Sequence, residues 1–203
     1  MHSVWHASRG LARGQGFTLL ELLFTLGIAT TIIGMAVPLT ADALDEMRGS
    51  MAARYVQSRI LDARMDAVKR SSRVGLHFES QGDDFRFAEY LDGNANGIRS
   101  ADIADGTDPE LRPRERLADQ FAGVSFGLRA NVPDVDGTRS PTRQEGVRVG
   151  VTRMLSVGPD GTATSGTLYL HGRRSQYAVR VLGATGRTRV LRFDSGGQQW
   201  IAR

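Results

Sequence analysis

The chain has 203 residues, 40% of them hydrophobic and 24% charged, with a formal net charge of +4, so it holds one ordinary domain plus an appendage. It contains no cysteine, which excludes a disulfide framework and any thiolate metal site. The basic balance fits either a plain arginine-rich surface or affinity for an anionic polymer or lipid.

Residues 1–16 carry Arg9 and Arg13 and no acid. Phe17–Leu39 is apolar except for Glu21, threonines and glycines. At about 1.5 Å per residue, a helix over this stretch would span about 34 Å, enough for a bilayer core of about 30 Å. The basic flank predicts a cytoplasmic N-terminal side and an exported C-terminal side. A secretory signal peptide ends in a small-residue cleavage site, and none follows this apolar run at a suitable place. Glu21 is therefore anomalous, because a carboxylate in lipid is costly without a partner. It could lie shallow enough to reach the headgroups. Alternatively, cleavage between Gly16 and Phe17 would place a new α-amino group four residues before it. The amine and the carboxylate could then neutralise each other, within one helix or between staggered neighbours.

Helical periodicity continues beyond Pro38. Leu44, Met47, Met51 and Tyr55 recur at three- and four-residue spacing, and Val56, Ile60, Ala63 and Ala67 carry the stripe on. The spacing predicts one long helix, apolar over 17–39 and amphipathic over 40–72, kinked near Pro38. Its stripe is expected to lie against a folded domain. From Arg73 the period changes to two, in "RVGLHF", "FRFAEY", "GVSFGL", "GVRVGV", "GTLYLHG", "QYAVRVL" and "RTRVLRF". "GPDG" (158–161) and "GATGR" (183–187) read as turns. The fold class is therefore α+β, with a long N-terminal helix packed on an antiparallel β-sheet domain over 73–203. Residues 80–145 are rich in turn formers and charge and predict long polar loops.

Two side-chain groups suggest binding. In "DGNANGIRSAD", Asp92, Asn94 and Asn96 alternate like calcium-loop ligands and Gly97 could supply the turn. Asp102 sits one residue early for the closing position and no bidentate glutamate follows, so an Asx-rich turn is the competing reading. The second group is basic. From Arg153 onward there are eight arginines against Asp160 and Asp194, a formal +6 (8 − 2). Arg187 and Arg189 alternate after Gly186, and Arg173 and Arg174 are adjacent. Such a surface attracts phosphate backbones, although arginines on the wet face of a hairpin would look the same. No H-E-x-x-H, nucleophile elbow or phosphate loop occurs, so no enzyme is predicted.

"GQGFTLLELL" resembles the signal of type IV prepilins and type II secretion pseudopilins. In that family a prepilin peptidase cuts after glycine, the new N-terminal phenylalanine is often N-methylated, and the fifth mature residue is glutamate. Gly16, Phe17 and Glu21 match this pattern, and Pro38 falls where many pilins carry a kinking proline. "SVGPDGTATSGTLYLHG" and "YAVRVLGATGRTRVLRF" resemble the C-terminal strands of the GspH/FimT subfamily, whereas 80–145 does not. The resemblance implies a cleaved leader (1–16), no cofactor, and a single-pass inner-membrane precursor with a periplasmic domain. Its implied partners are the peptidase, an inner-membrane assembly platform and other pilins or pseudopilins in a helical fibre. In FimT-type minor pilins a C-terminal G-R-x-R motif is associated with DNA binding, and Gly186, Arg187 and Arg189 match it, implying double-stranded DNA as a further partner. The alternatives are an H-type pseudopilin of a type II secretion system and a membrane-anchored binding domain.

Overall fold

A computed structural model describes residues 16–137 and 146–203. The predicted leader (1–16) lies outside the described residues except for Gly16. The fold is α+β: a long N-terminal helix, α1 (Leu19–Arg70), precedes a domain of antiparallel strands. The chain forms two compact units, Met1–Ala41 and Asp42–Arg203.

In the first unit the helix continues unbroken through residue 38. Phe17, Leu20, Phe24, Ile28 and Ile32 are all exposed. The hydroxyls of Thr25, Thr30 and Thr31 donate to carbonyls three or four residues back, at 2.8 to 3.0 Å. This satisfies polar groups inside an apolar stretch without a partner from elsewhere. Among the described residues, α1 is long and apolar enough to cross a membrane.

The second unit contains two sheets. The first is built from β1 (Val74–Gln81), β2 (Asp84–Leu91), β3 (Glu110–Arg116) and β6 (Met154–Val157), in the order β3-β2-β1-β6. The second holds β4 (Ser125–Phe126), β5 (Val147–Val149), β7 (Gly166–His171), β8 (Gln176–Leu182), β9 (Arg187–Asp194) and β10 (Gln199–Ala202). Its order is β10-β9-β8-β7-β4, with β5 also paired to β7. Two short helices, α2 (Ser100–Asp105) and α3 (Leu117–Gln120), flank β3. One apolar cluster joins Ala52, Ala53, Val56 and Ile60 of α1 to Phe78 and Phe87 of the first sheet and Leu168, Tyr177 and Val179 of the second.

The buried face of α1 corrects one expectation. Val56, Ile60, Ala63 and Ala67 face inward, but Leu44, Met47 and Met51 face solvent and Tyr55 is half-buried. What faces inward beside Val56 is small: Gly49, Ala52 and Ala53. A Cβ on Gly49 would lie 2.8 Å from both Ser175 Oγ and a Tyr177 ring carbon. Small side chains bring the helix close to the second sheet, and the larger apolar side chains are left on the opposite face.

The stretch 80–145 also differs from a run of loops. It holds β2, α2, β3, α3 and β4, with residues 138–145 outside the described set. β3, "ELRPRER", is an edge strand with a central proline and five charged residues. An edge strand tolerates proline and has no buried face on its open side, so no apolar alternation marks it.

Candidate functional site

The predicted processing site lies just ahead of α1. Gly16, Phe17 and Thr18 are non-helical, Phe17 is exposed, and nothing lies within 4 Å of the position a Cβ on Gly16 would take. The Thr18 carbonyl accepts from the Leu22 N–H at 3.1 Å, and Thr18 Oγ1 accepts from the Glu21 N–H at 3.2 Å. Thr18 is thus the N-cap, and "TLLE" has the spacing of a capping box. Glu21 sits in the first turn, where the positive end of the helix favours a carboxylate. This gives Glu21 a role within its own helix that the sequence reading missed, although the T-x-x-E signal was present. Pro38 lies within α1.

The candidate calcium loop is organised from within. Asp92 is buried, and its Oδ2 accepts from the Gly97 N–H at 2.9 Å. Asn94 Oδ1 accepts from the Asn96 N–H at 3.1 Å, and Asn94 Nδ2 donates to Asp102 Oδ2 at 3.2 Å. Asp108, which the sequence reading passed over, is almost fully buried and accepts from the N–H groups of Gly93 and Arg99, each at 3.0 Å. Among the described residues no three His, Cys, Asp or Glu side chains converge as metal ligands. Asp92 Oδ2 and Asn94 Oδ1 each accept a backbone N–H, as in an Asx-rich turn, and a cation would have to displace those donors.

The basic residues divide into two places. Arg173 and Arg174 lie in the turn between β7 and β8. Their side chains donate to the two oxygens of Asp42, each at 2.5 Å. Their backbone N–H groups, with that of Ser175, bind the Asp45 carboxylate at 2.6, 2.9 and 2.8 Å. Arg187 pairs with Leu182 at the other end of β8, about 20 Å away at roughly 3.3 Å per strand residue. The structure does not bring these two pairs together.

Strand register gives Arg187 and Arg189 different neighbours. Arg189 is opposite Arg180, Arg180 opposite Thr167, and Thr167 opposite Arg148. Directly opposed residues share a face, so β5, β7, β8 and β9 carry a polar row with three arginines. The residues alternating with them, Val147, Leu168, Val179 and Val190, belong to the core beneath α1. The row is therefore on the side of the sheet away from α1. Arg180 pairs with Asp136 at 2.9 Å and Arg148 with Asp134 at 2.7 Å. Arg187 and Arg189 are exposed. Gly186, in the left-handed region with φ +58°, makes the turn before them; a Cβ there would lie 2.5 Å from the Gly161 carbonyl oxygen. That position requires glycine for both conformation and space. Sequence alternation could have found Arg180, whereas Arg148 joins through a pairing between distant strands.

No family model matches the chain, and no solved structure matches it. Over 85 residues, 40% of its length, the chain is 38% identical to the pilin-like protein PilA1 of Thermus thermophilus. The likeness is to a pilin-like protein. The match covers 51% of that protein, so the chain spans about half the length of the curated relative it matches. The similarity supports a pilin-type, structural kind of chain with an N-terminal membrane-anchor candidate, and does not reach the level of the GspH/FimT subfamily.

Proposed function

We propose that this chain is a minor pilin of the GspH/FimT type, processed between Gly16 and Phe17 and drawn from the inner membrane into a type IV pilus. The observation that carries this reading is the order of parts: an exposed Gly16–Phe17 bond, Glu21 in the first helical turn, an apolar helix, then a β domain. Open space around Gly27 and Gly34 would let neighbouring helices approach closely. Heterologous contacts between such helices extend into a filament. The new α-amino group of Phe17 would offset the Glu21 charge there, adding to the part the carboxylate plays in its own helix. The test is mass spectrometry of the chain from its native cells, together with Gly16→Val and Glu21→Ala variants. A mature chain beginning at Phe17, blocked processing of Gly16→Val, and processed but poorly assembled Glu21→Ala are expected. A native chain that keeps its first sixteen residues would overturn the reading.

A second role, double-stranded DNA binding, is favoured by the register that gathers Arg148, Arg180 and Arg189 in one row beside Arg187. Salt-sensitive gel-shift of the purified chain, lost on Arg187→Ala with Arg189→Ala, is expected. Binding indifferent to salt or to both substitutions would remove this role. If deletion of the gene abolished protein secretion and left pili intact, the H-type pseudopilin reading would replace the pilus one.

A further inference from the structure

A cleft of about 510 Å³ lies beside the first residues of the second unit, with Asp42, Arg129, Asn131, Arg174, Ser195 and Gln198 in its walls. Buried Gln176 fixes the segment after β4 there. Its Oε1 accepts from the Arg129 N–H at 2.9 Å, and its Nε2 donates to the carbonyls of Gly127 and Leu170 at 3.1 and 2.9 Å. Arg129 Nη1 then donates to the Arg174 carbonyl, so two basic residues from separate parts of the chain meet at the cleft.

The nearby acids do not cancel these cations. Asp45 is held by the turn amides, and Glu46 is held by Tyr177, Arg192 and Arg203. Asp42 is the remaining carboxylate of the cleft. It contacts both Arg173 and Arg174 and can neutralise one of them. Arg129 has no carboxylate partner among the described residues. Three arginines against one acid leave a formal +2 (3 − 1). The Arg173 and Arg174 side chains are 61 and 70% exposed, so this charge faces outward. Asn131, Ser195 and Gln198 add neutral donors around it.

The place of the cleft along the chain selects the anion. Leu39 ends the apolar stretch, and Asp42 follows it by three residues, about 5 Å along a helix. If the apolar stretch fills a bilayer core, Asp42 falls within the headgroup layer. Both guanidinium groups that touch Asp42 at 2.5 Å share its depth. We infer that Arg129 and Arg174 hold the phosphodiester headgroup of an anionic glycerophospholipid in this cleft while the chain sits in the membrane. The inference rests on the membrane-anchor part of the reading above, and not on processing or polymerisation.

The full-length chain in nanodiscs of phosphatidylcholine, with and without a minority of phosphatidylglycerol, tests this. Native mass spectrometry reads which lipids each chain retains when the disc is stripped. Enrichment of phosphatidylglycerol over its share of the disc is expected, weakening in discs washed with more salt. Arg129→Ala and Arg174→Ala should each reduce the enrichment about fivefold, the weight of one basic side chain at an anionic surface. Arg99→Ala, at an exposed position in the loop after β2, should leave it unchanged. Asp42→Asn removes the competing carboxylate and should raise the enrichment, a direction that misfolding would not give. Equal retention of the two lipids, or enrichment that Arg129→Ala and Arg174→Ala leave intact, would overturn the headgroup site and leave the anchor standing. Inorganic phosphate binding to the chain in neutral discs, lost in the same two variants, would show a free-anion site and overturn the lipid assignment. Displacement of the retained phosphatidylglycerol by double-stranded DNA would overturn it as well. A chain that cannot be recovered in neutral discs would overturn the anchor reading and this inference with it.

Discussion

Asp45 is the residue on which the attachment of α1 to the β7–β8 turn converges. Its carboxylate accepts three backbone N–H groups, from Arg173, Arg174 and Ser175. Partial burial pushes its pKa up, but the amide donors together outweigh that and hold the carboxyl below the usual range. The sign follows from the ionised form being favoured in the fold. Its stabilisation is complete above the ordinary carboxylate pKa of about 4 and is lost as pH falls through the lower folded value. Asp45→Asn should therefore lose about 2 kcal/mol at neutral pH, the scale of hydrogen bonds to a charged group. The variant and the parent should converge in acid; melting temperatures from pH 7 down to pH 2 measure this. Nearby, burial first and the Glu46 carboxylate second push the Tyr177 hydroxyl up to about 12, so it remains a donor at 2.7 Å. None of this was legible in the sequence, where Asp45 is one of several helix acids and its partners are some 130 positions away.

The elements were legible in proportion to their apolar contrast. β1, β7, β8 and β9 stand out because their apolar side chains meet the core, and β7 and β8 are covered on both faces, with Tyr169 and Ala178 in a second apolar cluster. β3 lacks that contrast because it is an edge, and its proline argues against a strand until its position is known. For α1 the period was correct, and the direction was correct from Val56 onward and wrong for Leu44, Met47 and Met51. Two apolar stripes coexist, and hydrophobicity favours the larger side chains, whereas close approach to the sheet selects glycine and alanine. Gly49→Ala tests this. Alanine improves intrinsic helix propensity by about 1 kcal/mol, but crowding against Tyr177 and Ser175 costs about 1–3 kcal/mol. A net loss of up to about 2 kcal/mol is expected in denaturant unfolding. A more stable variant would show that the helix can move off the sheet at little cost.

For the molecule as a whole, the candidate processing residues were read directly from the sequence because they are contiguous. The basic surface was read only as a composition, because its arginines come from separate strands and their register decides which of them meet. That distinction yields a quantitative expectation for DNA binding. Each phosphate-contacting arginine removed should reduce the slope of log affinity against log salt by about one. Arg187→Ala and Arg189→Ala, at exposed positions, should each do so. Arg173→Ala should leave the slope unchanged, since Asp42 already neutralises that side chain. Equal effects at positions 173 and 189 would count against a row-based contact.

The alternation of β8 and β9 gives the second sheet two unlike sides: Val179 and Val190 point toward α1, and Arg180 and Arg189 point away from it. A polyanion lying across the strands would therefore be separated from α1 by the thickness of the sheet. A subunit held in a fibre through α1 would leave that arginine face open, so one molecule could bridge the fibre and the polymer.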